Sequence, residues 1–147
     1  YVFGEHGDSS FIPWSVANIS NVPINECDAL VAGSDVSMPK FKREDVEQYV
    51  RKSGGRVIER KGATFYAVSA SVCHICKCLL TGIDTTMTVS TLMHGEYGVD
   101  DVALSVLNIV GKDGARAKVM MPLTDDEISK LRHSADTLKD VIKNLHI

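Results

Sequence analysis

The second half of the chain has the apolar and polar pattern of short antiparallel strands. Residues 85–92 are rich in Thr and Val, residues 101–110 alternate between two faces, and residues 117–121 form a short apolar run. Glycine-bearing turns join these segments, GEYG at 95–98 and GKDG at 111–114. Strands joined by tight turns of this kind pair with their neighbours in sequence. The pattern therefore predicts a three-stranded antiparallel meander.

Helical periodicity predicts two consecutive helices before the meander. From Arg43, apolar residues recur near a helical spacing as far as Ile58, while Lys, Arg and Glu occupy the other face. The Gly54-Gly55 pair interrupts this pattern, and each glycine costs a helix roughly 1 kcal/mol relative to alanine. The pair predicts either a kink or the close approach of another helix. Gly62 separates this helix from a second one at about 64–81.

A third helix is predicted near the C-terminus. Thr124 and Glu127 have the spacing of a capping box, in which each side chain accepts a hydrogen bond from the backbone N–H of the other residue. Apolar side chains then recur along one face, at Ile128, Leu131, Ala135, Leu138, Ile142 and Leu145. Such a stripe predicts a helix that lies along a core or across a partner.

The N-terminal region has weaker patterns. Short strands are predicted at 1–3 and 11–19, and residues 22–42 are predicted as a loop with short structured pieces because prolines and glycines interrupt them. All these elements together predict an α+β fold. The meander and the N-terminal strand pair are expected to pack against the two long helices and the final helix.

Composition and charge limit the classes of function. The 147 residues are 44% hydrophobic and 24% charged, which is typical of a single globular domain, and the formal net charge is −3. The sequence has no basic stripe for nucleic acid and no apolar run long enough to cross a membrane. We therefore expect neither nucleic acid nor a membrane among the partners.

Three of the four cysteines lie together in CHICKC at 73–78, and the fourth is Cys27. This cluster invites a metal or redox interpretation, but a zinc site needs a second group of ligands and Cys27 alone is a poor one. Free cysteine behaves as a small buried hydrophobe, so we expect core packing and no metal site. Unpaired thiols fit the reducing cytoplasm.

The GEHGDSS run at 4–10 is the strongest indication of chemistry. His6 stands between two glycines with a carboxylate on either side, Glu5 and Asp8, and it follows the strand predicted at 1–3. Histidine both donates and accepts protons near neutral pH, and catalytic groups favour the loop at the end of a strand. The alternative interpretation is a polar turn that His6 merely caps.

GEHGDSS, followed by FIPWS at 11–15, resembles the catalytic-histidine segment of L-lactate dehydrogenases. Three further segments carry the resemblance in the same order and spacing: KGAT at 61–64, VSTL at 89–92 and DVALSV at 101–106. The similarity covers essentially the whole chain, as the C-terminal substrate domain of that family. One departure is Leu107, where many members of the family have proline.

The resemblance implies roles for three residues. His6 would donate a proton to the ketone oxygen of pyruvate and take it back in the reverse direction, and Thr64 would line the substrate pocket. The alternative for Thr64 is the N-cap of the second helix, which is compatible with a place in the pocket. Val68 would pack on the nicotinamide of NAD, although core packing also favours an aliphatic residue there. The substrate would be a small 2-oxo or 2-hydroxy acid.

The resemblance also implies that residues 1–147 form the C-terminal catalytic domain of a longer polypeptide. The sequence has no GxGxxG or Walker motif, so we expect the NAD-binding Rossmann domain to lie outside this chain. The chain alone is expected to be inactive. The parent enzyme is expected to be a homo-oligomer, and the resemblance implies a tetramer, which is usual in the family. Three alternatives stay open: a dehydrogenase of longer L-2-hydroxy acids, a malate dehydrogenase, and a non-enzymatic oligomerisation module.

Overall fold

The structure, a computed structural model, describes residues 1–27 and 41–145. In chain order the strands and helices are β1 (Asn18–Ile19), β2 (Val22–Pro23), α1 (Arg43–Lys61), α2 (Tyr66–Thr81), β3 (Thr85–His94), β4 (Asp100–Gly111), β5 (Gly114–Lys118) and α3 (Asp125–Asn144). A separate two-stranded sheet is formed by β1 and β2. Among the described helices, none is long and apolar enough to cross a membrane.

The predicted meander is confirmed, with β3, β4 and β5 as consecutive antiparallel neighbours. The last strand, however, was predicted at 117–121 and instead begins at Gly114. The reason is that the hairpin closes directly at the Gly111–Gly114 pair, so pairing starts immediately after the turn. After Lys118, the Val119 N–H still donates to the Leu107 carbonyl of β4 over 2.8 Å, and the Met121 N–H donates to the Tyr97 hydroxyl over 2.7 Å.

The core lies between β4 and α3. Alternate residues of β4 are buried on one face at Val102, Leu104 and Val106, as the period of a strand requires. Side chains from the N-terminal segment, β3, the turn before β4, β4 itself and α3 complete the cluster: Phe3, Phe11, Met93, Val99, Leu107, Leu131 and Ala135. This arrangement confirms an α+β fold in which the meander packs on the final helix.

The start of α3 is held by the predicted capping box. The Thr124 hydroxyl accepts from the Glu127 N–H, and the Glu127 carboxylate accepts from the Thr124 N–H over 3.0 Å. The same carboxylate also accepts from the backbone N–H of Ser15 over 2.9 Å and from its hydroxyl. Glu127 therefore ties the final helix to the N-terminal segment as well as capping the helix.

The final helix buries only part of its predicted stripe. Leu131 and Ala135 are buried and Leu138 is half-buried, whereas Ile142 and Leu145 are exposed. The periodicity correctly identifies the apolar face, but the core of the described residues ends before the last two turns of the helix.

The two long helices are less buried than the sequence predicts. α2 contacts β4 and buries Cys78, whereas α1 has no buried residue among those described. The expected core packing of cysteines is correct for Cys27 and Cys78 and wrong for Cys73 and Cys76, which are exposed. An amphipathic pattern identifies the apolar face of a helix but not the surface that covers it.

The Gly54-Gly55 pair lies within one continuous helix, Arg43–Lys61, so the pair does not end the helix. The second prediction, a close approach of another helix, has no support within the described residues. A Cβ built at either glycine meets no described atom within 4 Å.

The N-terminal strands are shorter than predicted. The segment 1–3 contributes only isolated bridges, between Phe3 and Phe11 and between Gly4 and Ser105. The predicted strand 11–19 is wrong over most of its length because the chain after Pro13 turns into a short 3₁₀ helix at Trp14–Val16. Proline has no N–H to donate to a strand partner. Of the loop predicted at 22–42, residues 28–40 lie outside those described.

We predict that alanine at Gly54 or Gly55 stabilises the protein by about 0.5–1 kcal/mol at each position, because a Cβ fits and glycine weakens a helix interior. Gly62→Ala is the matched control. It also has open space among the described atoms, but its φ of +77° strains any other residue, so it should lower stability by about 1 kcal/mol. Urea unfolding of the three variants measures these changes. A loss of stability at Gly54 would mean that another part of the polypeptide packs closely there.

We predict a loss of stability in acid that depends on Glu127. Burial opposes ionisation of this carboxyl, but hydrogen bonds from Ser15 and Thr124 outweigh it and lower its pKa. A lowered folded-state pKa adds stability above the ordinary glutamate pKa, and that stability is lost as the pH falls through the lowered value. The free energy of unfolding of the Glu127→Gln variant, measured in urea at neutral pH, should therefore be about 1.5–3 kcal/mol lower than that of the wild type. In acid, this free energy should change less with pH than it does in the wild type.

Asp126→Asn is the control for this experiment, because the neighbouring Asp126 carboxylate is exposed and pairs only with Lys130 at 2.7 Å among the salt bridges described. Exposed ion pairs of this kind contribute little to stability. If the stability of the Glu127→Gln and Asp126→Asn variants depends on pH in acid to the same extent, the stability lost in acid does not come from Glu127.

Candidate active site

The loop that carries His6 leaves the core at the edge of β4. Gly4 forms two backbone hydrogen bonds with Ser105 of β4: its N–H donates over 3.0 Å and its carbonyl accepts over 2.8 Å. Just before it, the buried Phe3 ring packs edge-on against Phe11, with ring centroids 6.3 Å apart. The backbone is thus fixed two residues before His6, while the His6 side chain is exposed.

The other side of the loop is held by the final helix. The Glu5 N–H donates to the Ser134 hydroxyl oxygen over 2.7 Å, and the Ser9 and Ser134 hydroxyl groups are hydrogen-bonded to each other, with their oxygens 3.0 Å apart. The Glu5 carboxylate accepts from the Ser9 hydroxyl over 2.7 Å. Glu5, which the sequence places beside His6, therefore closes the loop that carries His6.

His6 and Thr64 line the same cavity, which has a volume of about 610 Å³. The loop contributes His6 and Asp8, the connection between α1 and α2 contributes Thr64, and the sheet contributes Thr88 and Ser105. Hydroxyl groups from two strands thus line the cavity together with an imidazole. A small polar molecule in this cavity would have both proton-transfer and hydrogen-bonding groups available.

A further wall of the cavity is formed by α1, which contributes Arg51, Gly54, Gly55 and Ile58. Arg51 donates to the backbone carbonyl of Ser10 over 2.7 Å. Its guanidinium also lies 3.5 Å from the Glu47 carboxylate on the same helix. Arg51 therefore connects α1 to the end of the loop that carries His6, and no local pattern in the sequence points to this residue.

The alternative interpretation of Thr64 as the N-cap of the second helix is wrong. The helix begins at Tyr66, Phe65 occupies the cap position, and no side chain forms a cap hydrogen bond there. Thr64 thus lies before the helix and faces the cavity. Val68, in the first turn of α2, is 56% exposed and does not line this cavity.

Ser134, like Arg51, was missed by the sequence analysis. It stands in the apolar stripe of α3 between Leu131 and Ala135, and a polar residue within such a stripe is a recognisable feature of the sequence. Its partners are about 130 residues away in the chain, which no local pattern reveals. Within residues 1–27 and 41–145, no three His, Cys, Asp or Glu side chains form a group able to hold a metal ion.

Comparison with known proteins identifies the family. The sequence matches the α/β C-terminal domain of lactate/malate dehydrogenases over residues 1–146. The L-lactate dehydrogenase of Thermoanaerobacterium saccharolyticum is 42% identical over 146 residues, which cover 99% of this chain and 46% of that relative. The L-lactate dehydrogenase of Acetivibrio thermocellus is 38% identical, covering 100% of this chain and 45% of the relative.

Solved structures agree with this assignment. An L-lactate dehydrogenase from Clostridium thermocellum superposes with a TM-score of 0.84 at 33% identity, covering 100% of this chain and 46% of that one. A malate dehydrogenase from Archaeoglobus fulgidus in complex with NADH superposes with a TM-score of 0.80 at 31% identity, covering 99% of this chain and 43% of that one. The chain spans less than half the length of these relatives. It belongs to the lactate/malate dehydrogenase family and matches the C-terminal domain of that family.

Proposed function

We propose that this chain is the C-terminal, substrate-binding domain of an NAD-dependent L-lactate dehydrogenase. In this proposal the longer polypeptide contains a dinucleotide-binding domain before residue 1 and interconverts L-lactate and pyruvate. The observation that carries the proposal is that His6 and Thr64, from separate segments, line one cavity. Relatives named L-lactate dehydrogenases at about 40% identity over nearly the whole chain support the choice of reaction.

His6 is proposed as the general acid and base. In pyruvate reduction its protonated imidazole donates a proton to the ketone oxygen, and in lactate oxidation the neutral ring accepts the proton of the hydroxyl group. An exposed side chain on a backbone fixed by β4 and α3 suits this task. The scaffold sets the position of the ring while the cavity leaves it accessible to the substrate.

Thr64 is proposed as a substrate-binding residue. Its hydroxyl both donates and accepts hydrogen bonds, which matches the carboxylate and oxygen groups of a 2-oxo or 2-hydroxy acid. Thr64 makes no cap hydrogen bond to α2, so its hydroxyl is available to the cavity. It contributes contact and orientation, and no proton transfer.

Val68 is proposed to contact the nicotinamide of NAD. The dinucleotide, when bound, supplies or accepts the hydride. The residues of this chain fit a limited part in binding it, since Val68 offers an exposed aliphatic side chain at the start of α2, close in sequence to Thr64. Most contacts to the cofactor are assigned to the domain proposed to precede residue 1. The chain alone is accordingly expected to be inactive, because it lacks most of the positioning on which the rate depends.

The exposed apolar side chains of α1 and α2 support a proposal about assembly. They include Val57, Ile58, Val72 and Leu80, the last 87% exposed, and apolar patches of this kind mark interfaces. We assign them to contacts with the preceding domain and with further copies in a homo-oligomer, a tetramer for the whole enzyme. The four free cysteines fit a cytoplasmic protein.

Three alternatives make different predictions for the whole polypeptide. A dehydrogenase of longer L-2-hydroxy acids would prefer 2-oxo acids larger than pyruvate, and a malate dehydrogenase would prefer oxaloacetate. An oligomerisation module would reduce none of them. Rates of NADH oxidation with the three classes of acid therefore decide between the alternatives.

In the full-length polypeptide, His6→Gln should retain NADH binding and the fold but lose turnover by about 10²–10⁴-fold. Glutamine can hydrogen-bond the ketone oxygen but cannot transfer a proton to it. Steady-state kinetics with pyruvate, together with NADH fluorescence titration, measures both properties. Near-normal turnover of His6→Gln would mean that the proton comes from another group, and the proposed role of His6 would be wrong.

Thr64→Ala is expected to have a smaller effect than His6→Gln, and a different one. It removes one contact with the substrate, so it should raise KM for pyruvate and lower kcat less than the histidine substitution does. His94→Gln is a matched control, because His94 is an exposed histidine on β3 that does not line the cavity. An equal loss of turnover in His94→Gln and His6→Gln would contradict the assignment of the site.

A further inference from the structure

Ser134 is a fully buried hydroxyl in the apolar face of α3, with 0% of its surface exposed. Its neighbours on that face, Leu131 and Ala135, belong to the hydrophobic core. A buried hydroxyl lowers stability unless it is hydrogen-bonded. The Ser134 hydroxyl accepts from the Glu5 N–H and is hydrogen-bonded to the Ser9 hydroxyl, and both partners belong to the loop that carries His6. The final helix thus presents its buried polar group to that loop.

The hydrogen bond from Glu5 to Ser134 fixes one end of a planar peptide unit. The N–H of Glu5 and the carbonyl of Gly4 belong to the same peptide plane. The N–H donates to Ser134 over 2.7 Å, and the carbonyl accepts from the Ser105 N–H over 2.8 Å. The peptide is therefore held between α3 on one side and β4 on the other, one residue before His6.

The approach of α3 to this peptide is unusually close. A Cβ built on Gly4 would lie 2.6 Å from the Ser134 hydroxyl oxygen, and the φ of Gly4 is +101°, which glycine adopts most readily. The hydroxyl of Ser9, at the other end of the loop, is hydrogen-bonded to the same Ser134 hydroxyl, with the two oxygens 3.0 Å apart. Ser134 therefore holds both arms of the five-residue segment 5–9.

The geometry points to Ser134 as a positioning residue for His6, an inference that rests on the proposed function. Ser134 acts through the Glu5 backbone and sets the position from which His6 transfers its proton. Proton transfer requires reacting atoms within hydrogen-bond distance, and a displacement of about 1 Å can reduce the rate 10²-fold. Loss of the hydroxyl would free one side of the peptide and leave the other attached to β4.

The test is Ser134→Ala in the full-length polypeptide. We expect kcat for pyruvate reduction to fall by about 10–100-fold, with KM for pyruvate and the Kd for NADH changed less than about threefold. Thr137→Ala is the matched control, because its hydroxyl donates to the His133 carbonyl within α3 and does not contact the loop. This control should keep kcat within about twofold.

Two further variants separate positioning from general destabilisation. Leu138→Ala removes packing from the same helix, so it should lower the melting temperature and keep kcat when assayed well below that temperature. Ser134→Cys retains a weak acceptor of similar shape and should give an intermediate kcat, which also keeps the test informative if Ser134→Ala does not fold. Unchanged kcat in Ser134→Ala, or in Ser134→Cys if only that variant folds, would overturn the inference. An equal loss in Leu138→Ala would also overturn it.

Failure of this inference is distinguishable from failure of the proposed function. If the wild type does not reduce pyruvate with NADH, or if His6→Gln retains turnover, the proposed function is wrong whatever Ser134 does. If the wild type is active and His6→Gln is not, normal kcat in Ser134→Ala rejects the positioning role alone.

Discussion

The bridge between Gly4 and Ser105 is the interaction on which the rest of the site depends. Two backbone hydrogen bonds attach the N-terminal segment to the edge of β4, and the buried Phe3 ring next to them contributes to the core. Because β4 is the central strand of the meander, the loop that carries His6 starts from one of the most constrained parts of the protein. The loop itself reaches the surface within two residues. Rigidity and access are thus combined over a very short stretch of chain.

The final helix provides the second constraint, through polar groups set two turns apart. Glu127 holds Ser15, and Ser134 holds Glu5 and Ser9, so one helix contacts the N-terminal segment on both sides of Phe11. Leu131, between the two polar groups, is completely buried. Apolar packing holds α3 against the sheet, and the polar contacts fix the position of the N-terminal segment on α3. Stability and site geometry therefore depend on the same helix face.

Local patterns in the sequence predicted the elements well and their burial less well. The meander and the Thr124–Glu127 capping box follow from alternation, turn glycines and short-range spacing, all of which are local. The strand predicted at 11–19 failed because Pro13 redirects the chain, and the alternative interpretation of Thr64 as an N-cap failed because Phe65 occupies that position. The helix from Arg43 was predicted correctly, but no described residue of it is buried.

The candidate site was predictable only in part. His6 stands in a recognisable motif, and the resemblance added Thr64. Arg51 and Ser134 act through hydrogen bonds to residues 41 and 129 positions away, and one sequence carries no local pattern for such contacts. Sequence reasoning thus identifies groups that carry chemistry more readily than groups that position them.

The pH dependence of both reaction directions tests the central claim, that His6 transfers the proton, most directly. Reduction needs the protonated imidazole and oxidation needs the neutral one. In the full-length polypeptide, kcat/KM for pyruvate should therefore fall as the pH rises, and kcat/KM for lactate should fall as the pH decreases. Profiles that do not depend on pH, or that change in the same direction for the two substrates, would contradict the account.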